Sequence, residues 1–395
     1  MGHALACPSP ARAGGNACPT LSNQPELNSD IDIVADLAEL DTALAALPNC
    51  PAVFLAWPAE GEPYLSKTGV LRRRLLRLLK ERERPSRLLN LRHTARRIEY
   101  WFTASALESS LLFYRLARQH FPETYRELMK LRLPPYLKLV LSNEFPRSQV
   151  STHLSRSGAL YFGPFRSRAS AERFESQFLD LYQMRRCQED LDPSPDHPGC
   201  MYGEMGMCLR PCQQIVGPAE YGHEVVRVTE FLHTGGHSLL DSVAHARDRL
   251  SDQMQFEEAA RLHKRYEKVR DVLKLRDELA SDVERLSGVA VTRSVEPGAV
   301  ELWFVVEGHP QPPVRLTFEV KEGKPAPLDA KLHEIYDALG PARLPVRERE
   351  ETLALLARWF YSSWRDGEWL DWEIPGGVPY RKLVHAISRV ASARE

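Results

Sequence analysis

Apolar residues along this chain change their spacing several times, and each change predicts an element. From Asp30, the positions Ile31, Val34, Leu37 and Leu40 recur at helical spacing beside Asp32, Asp36, Glu39 and Asp41, so an acidic amphipathic helix is expected near 30–45. The run Ala52-Val53-Phe54-Leu55-Ala56-Trp57, the turn Glu60-Gly61-Glu62-Pro63 and the return Tyr64-Leu65-Ser66 predict a strand hairpin that leads into a basic helix. Leu239, Val243, Ala246 and Leu250, then Ala259, Leu262, Tyr266, Val269 and Leu273, form seams broken around Met254-Gln255-Phe256, as in an antiparallel helical hairpin. Two helices of that size bury too little to stand alone, so they either pack on the rest of the chain or await a partner helix; both remain open. After residue 286 the period becomes two: Val300, Leu302, Phe304 and Val306, then Val314, Leu316, Phe318 and Val320, predict a strand pair around Glu307-Gly308-His309-Pro310. A closing helix carries Leu353, Leu356, Phe360 and Trp364, and its aromatics at helical spacing read as core rather than as a platform for stacking bases.

Composition bounds what such a chain does. With 395 residues, 43% of them hydrophobic and 27% charged, it has material for several cored units and is neither collagen-like nor wholly disordered. Residues 1–29 are the exception: rich in Pro, Gly, Ala, Ser and Asn without periodicity, they are expected to form a disordered tail. No stretch of about 18 apolar residues is available to span a bilayer and the start lacks the order of a secretory signal, so no membrane partner and a cytoplasmic location are expected. Net charge is -1, yet twelve Lys/Arg between Lys67 and Arg97 face only Glu81 and Glu83. A block so basic beside a small sheet fits a binder of nucleic-acid phosphates; the alternative is a solvated face balanced by the acidic helix before it.

Four of the seven cysteines, Cys187, Cys200, Cys208 and Cys212, crowd together as C-x12-C-x7-C-x3-C, with Gly199, Gly203, Gly206 and Pro211 supplying tight turns. Four soft thiolates suit zinc or an iron–sulfur cluster; disulfides, disfavoured in a reducing compartment, or unconnected buried thiols are the alternatives.

Taken in order, these segments resemble the UvrC family, the endonuclease component of bacterial nucleotide excision repair. Tyr64-Leu65-Ser66-Lys67-Thr68-Gly69-Val70-Leu71-Arg72-Arg73-Arg74 is similar to the second motif of its GIY-YIG nuclease domain, and Tyr161-Phe162-Gly163-Pro164-Phe165 to its Y-F-G-P-Y signature. The four cysteines resemble its cysteine-rich region, and Met254-Gln255-Phe256-Glu257-Glu258-Ala259-Ala260-Arg261-Leu262 its UVR hairpin. The resemblance implies an α+β, multi-domain chain: a tail at 1–29, a GIY-YIG-like domain at 30–130, a cysteine-rich metal region at 131–235, a UVR-like hairpin at 236–282 and a C-terminal α+β domain at 283–395. It ranks an iron–sulfur cluster, with four irons, above zinc on Cys187, Cys200, Cys208 and Cys212. It also implies an excinuclease partner like UvrB, the damage-loading protein, docked through Phe256, Ala259, Ala260, Leu262 and Tyr266.

For the nuclease, the resemblance carries over Tyr64, Lys67 and Arg74, with DNA contacts expected from Lys67, Arg72, Arg73, Arg74, Arg77 and Lys80. Two departures stand out. The first-motif tyrosine reads Phe54 in Ala52-Val53-Phe54, and the metal-binding glutamate falls at Phe113, with Glu108 more than a helical turn away. A carboxylate that holds Mg or Mn is thus missing at the expected position, so the domain is expected to bind DNA without cutting it. The family's RNase H-like domain and helix-hairpin-helix motifs have no counterpart before Glu395, so a second incision is not expected of this polypeptide. The competing readings are an endonuclease making a single incision with magnesium or manganese, and an adaptor that regulates the damage-loading protein without touching DNA.

Overall fold

A computed structural model describes residues 29–32, 37–81, 89–155, 158–317, 320–321, 324–325, 328–339, 343–372 and 377–392. The expected disordered tail up to residue 28, with Arg82, Arg84 and Arg87 of the basic block and Phe318, lies outside the described residues. The chain is α+β, and the larger sheets among the described residues are antiparallel.

The first sheet contains β1 (Ser29–Asp32), β2 (Ala52–Pro58), β3 (Tyr64–Thr68) and β4 (Ala95–Phe102) in the order β1-β4-β2-β3. Strand alternation gives it two apolar faces. Ala52, Phe54, Ala56, Ile98 and Tyr100 pack under α1 (Leu37–Ala46) and α2 (Leu71–Leu79), through Leu40, Leu44, Leu71, Leu75 and Leu78. Val53, Leu55 and Trp101 face the opposite way, onto Leu112, Phe113 and Leu116 of α3 (Ala106–His120) and Tyr125 of α4 (Tyr125–Met129). The acidic helix is shorter than its periodicity suggests. Ser29–Asp32 instead pairs with β4, from Ser29↔Tyr100 to Asp32↔Arg97, and the helix is confined to Leu37–Ala46. The open edge of β4 offers backbone partners that a local helical period cannot match.

The second sheet is built from β5 (Tyr136–Val140), β6 (Arg147–Ser151) and β7 (Ala159–Gly163), extended by β8 (Ser281–Asp282), which returns after α5 (Arg168–Leu179), α6 (Met201–Glu204), α7 (Pro218–His233), α8 (His237–Asp252) and α9 (Phe256–Lys274). Its core is a phenylalanine stack: Phe162 on Phe174 at 5.4 Å, Phe174 on Phe178 at 5.9 Å, and Phe178 on Phe231 at 5.4 Å between ring centroids. Gly163 has a φ of 155°, and a Cβ there would come within 2.7 Å of the Tyr136 ring, so the close approach of β7 to β5 requires glycine. Val269 and Val272, near the foot of the α8–α9 hairpin, belong to this same core. The foot therefore packs within the chain, while Met254 and Phe256 at the tip are 78% and 65% exposed.

The last unit holds β9 (Gly288–Arg293), β10 (Ala299–Val306), β11 (His309–Pro310) and β12 (Val314–Thr317), then the ribbon β13 (Val320–Lys321) and β14 (Lys324–Pro325). It closes with α10 (Leu328–Ala338), α11 (Val346–Phe360), β15 (Gly367–Asp371) on the edge of β9, and α12 (Tyr380–Ser392). The expected strand pair is present, with Val300 opposite Leu316 and Leu302 opposite Val314. The closing helix ends at Phe360, so Trp364 lies beyond it and is 48% exposed, whereas Trp359 and Trp372 are buried as the core reading requires.

Three consecutive charged residues of α11 are buried, and each reaches a different part of the chain. The Arg349 guanidinium donates to the carbonyls of Gly308 (2.9 Å) and Val283 (3.1 Å). The Glu350 carboxylate accepts from the Leu154 amide at 2.9 Å, beside the middle sheet. Glu351, fully buried, accepts from the hydroxyls of Tyr114 (2.7 Å) and Tyr125 (2.8 Å) and from Arg126 Nε (2.6 Å), all next to the first sheet. One helix turn thus ties together the three sheets.

Candidate nucleic-acid interface

The amphipathic α2 explains how the basic block is presented. Leu71, Leu75, Leu78 and Leu79 seat the helix on the sheet, which leaves the arginines between them on the outer side. Arg73 and Arg77, one helical turn apart, join Lys67, Thr68, Val70 and Arg74 around a cleft of about 540 Å³ without a carboxylate in its lining. Arg74 Nη2 donates to Tyr64 Oη at 3.2 Å and Lys67 Nζ to Ser110 Oγ at 3.1 Å, so the three residues carried over from the nuclease motif are brought together and held. The surrounding protein, and then the nearby Arg358 guanidinium, hold the Lys67 pKa below the usual lysine value. Two candidates point elsewhere: Arg72 Nη1 donates to the Ala45 carbonyl at 3.2 Å, and Lys80 sits past the far end of α2 as its C-cap.

The positions that depart from the nuclease motif are filled by apolar packing. Phe54 is fully buried, with its ring centroid 6.2 Å from that of Tyr64. Phe113 is buried under the Lys67 ammonium, 6.0 Å from nitrogen to ring centroid, where it offers a cation–π contact rather than a metal ligand. Glu108 does not replace it. Its Oε2 accepts from the Ala104 amide at 2.8 Å while its own amide donates to Ser105 Oγ at 3.1 Å, a helix-capping arrangement. Burial, opposed by that amide and reinforced by Glu301, pushes the Glu108 carboxyl up to about 7. Sequence reasoning missed Ser110 of α3, which accepts from Lys67, and Arg358 of α11, whose charge acts on it; no local signal near the motif announces them.

In the cysteine region no group of three or more His, Cys, Asp or Glu side chains is arranged to hold a metal ion among the described residues. The cysteine thiols nevertheless lie close enough to act on one another. Burial pushes the Cys208 thiol up to about 11 against the backbone amide of Arg210, and the closeness of Cys187, Cys200 and Cys212 adds to the rise. Arg185 is only 1% exposed; it donates to Cys187 Sγ at 3.4 Å and to the carbonyls of Phe145 and Glu189, and its Nη2 is buried without a partner. A buried guanidinium without a carboxylate lacks a counter-charge that thiolates would supply.

At the hairpin, Phe256 and Ala260 are exposed, Leu262 and Tyr266 half-buried and Ala259 buried, so the candidate docking residues do not share one open face. Tyr266 is enclosed by cations, with Arg247 at 5.3 Å and Arg270 at 6.0 Å from its ring centroid. No helix among the described residues is long and apolar enough to cross a membrane.

The described residues thus combine a basic cleft on an antiparallel α+β unit with a cysteine-bearing sheet unit and a projecting helical hairpin. Residues 135–231 match the family described as UvrC/Cho excinuclease, middle domain. The chain is 28% identical over 267 residues to the UvrABC system protein C of Moorella thermoacetica, covering 67% of this chain and 43% of that protein. It is 26% identical over 275 residues to that of Lachnospira eligens, covering 68% and 44%. With that of Ruminiclostridium cellulolyticum the identity is 22% over 361 residues, covering 89% and 58%. No solved structure matches. The chain is thus similar to the UvrC family over its middle region and along most of its length, and it aligns with less than half the length of the first two of these relatives.

Proposed function

We propose that this protein serves nucleotide excision repair as a DNA-binding component that grips the phosphate backbone through the cleft of Lys67, Arg73, Arg74 and Arg77 without cutting it. The observation that carries the reading is the pairing of an intact cationic cleft with a buried Phe113 under Lys67, where the resemblance expects a metal-binding carboxylate. Arg74 and Lys67 supply positive charge to a phosphate, and Tyr64 orients Arg74. Among the described residues lining this cleft, none is a carboxylate that could hold a divalent ion to polarise the scissile phosphate or lower the pKa of an attacking water.

The cysteine region carries the second part of the proposal. Cys187, Cys200, Cys208 and Cys212 would hold an iron–sulfur cluster, with Arg185 as the buried cation facing it. Such a cluster, when bound, would fix a loop-rich segment through metal–sulfur bonds. The exposed hairpin tip at Phe256 supports docking to a helical, UvrB-like partner.

The decisive experiment incubates the purified protein with nicked or damaged duplex in Mg²⁺ or Mn²⁺ and measures binding and cleavage side by side. Salt-sensitive binding that Arg74→Ala weakens, with no strand scission, is the expected result. Scission that Arg74→Ala abolishes would overturn the reading.

A further inference from the structure

A second cationic cleft lies away from α2. It measures about 790 Å³ and is lined by Lys130, Arg132, Arg166, Arg168, Arg358 and Tyr361 among others, with no carboxylate in its lining. Its basic side chains come from separate elements: the end of α4, the start of α5 and the last turns of α11. Arg168 is paired with Glu172 at 2.7 Å. Arg166 is poised over the Tyr361 ring at 5.3 Å, and the Tyr361 hydroxyl is fixed to the Pro164 carbonyl at 2.9 Å. Lys130, Arg132, Arg166 and Arg358 are exposed and their side chains form no ion pair among the described residues, although the Arg166 amide donates to Asp277 Oδ2 at 2.8 Å. Gathering unpaired cations in one cleft costs energy in the free protein, and a polyanion removes that cost.

A third cleft adjoins the first, and the second lies near it. Lys67 and Thr68 line both the α2 cleft and a neighbouring one of about 430 Å³, whose other wall includes Trp364 and Asp366. Trp364 follows Tyr361 of the second basic cleft by three residues, and Arg358 is near enough to Lys67 to lower its pKa. Asp366, the carboxylate on this route, is occupied by the Ala106 amide at 2.6 Å and by Trp359 Nε1 at 2.9 Å. Exposed Trp364 offers an aromatic surface on this third cleft.

We infer that these clefts form one continuous track for a nucleic-acid backbone, running from Lys67 and the α2 arginines, past Trp364, into the cleft of Arg132, Arg166 and Arg358. The inference rests on the DNA-binding reading above and extends it from one unit to three. A track of this kind contacts more phosphates than the α2 face alone, and each contact adds about 0.9 to the slope of log affinity against log salt.

The test measures binding of the full chain to labelled duplexes by fluorescence anisotropy across a salt series. The variants are Arg132→Gln with Arg358→Gln, and separately Arg73→Gln with Arg77→Gln. On a duplex of about 30 base pairs, each pair of substitutions is expected to lower the salt slope by about 2. On one of about 8 base pairs, too short to span the track, the wild-type slope itself is expected to be smaller. An unchanged slope for the Arg132/Arg358 variant, with a reduced one for Arg73/Arg77, overturns the track and leaves the α2 site standing. No binding of any duplex by the wild type overturns both.

Discussion

Replacing Glu351 with alanine tests how α11 holds the units together. Its carboxylate is fully buried and is the acceptor for two buried hydroxyls, Tyr114 at 2.7 Å and Tyr125 at 2.8 Å, as well as for Arg126. Arg126 is 40% exposed in its side chain and turns to water when the carboxylate goes, so its share is small. The tyrosines have no such exit, and each buried hydroxyl left without its acceptor costs about 1–3 kcal/mol. With the packing lost, Glu351→Ala should destabilise by about 3–5 kcal/mol, the usual result of removing one partner from a buried charged network. Urea unfolding followed by circular dichroism at neutral pH measures this. Adding Tyr114→Phe and Tyr125→Phe removes the orphaned groups and should recover much of the loss. A deficit below about 1 kcal/mol, or a triple variant no better than the single one, would refute the reasoning. The effect also has a sign in pH. Burial acts to raise the Glu351 pKa, but the hydrogen bonds from Tyr114, Tyr125 and Arg126 outweigh it and leave the pKa below the usual value. Its stabilisation is therefore complete above the unfolded pKa of about 4.3 and is lost as pH falls through the folded value, so wild type and variant converge in acid.

Other outcomes follow from the same geometry. Glu108, whose carboxyl is raised to about 7, holds a proton in the folded chain that the unfolded chain has released, so it costs stability as pH climbs from about 4.3 to 7; Glu108→Gln should stabilise more at pH 8 than at pH 4 in thermal melts, and an equal effect at both counts against this. Phe256→Ala, at a 65% exposed tip, should leave the melting temperature unchanged while weakening capture of a UvrB-like partner at least tenfold in a titration; unchanged affinity removes the tip from the interface. Protein purified without oxygen should be brown and contain iron, and Cys208→Ser should remove both colour and iron; colourless protein with stoichiometric zinc overturns the cluster assignment.

Local patterns were readable wherever the element's own period decided the outcome. The leucines of α2 repeat at helical spacing and seat that helix as expected, and alternation across Val300–Val306 and Val314–Leu316 yields the paired strands. The short strand at Ser29–Asp32 was not readable, because it exists through backbone pairing to β4, far along the chain. The cleft was legible in the same uneven way. Tyr64, Lys67 and Arg74 lie within one motif, whereas Ser110 and Arg358 act on Lys67 from other elements and carry no mark of it in their own surroundings. Buried charges such as Glu351 and Arg185 look like ordinary surface residues in a sequence, since their role is defined by tyrosines and carbonyls that only folding assembles.

The hairpin fixes a length. Its foot is locked by Val269 and Val272 into the phenylalanine stack, and Phe256 stands at the other end of the same uninterrupted helix. From Phe256 to Val269 the helical rise sets a distance of about 20 Å, and no loop intervenes to absorb a change in it. A protein gripping the tip would be held at a set standoff and rotation from the sheet, as on a strut. Adding or removing residues in α9 would turn such a partner by about 100° for each one while shifting it only about 1.5 Å, so orientation would fail long before reach.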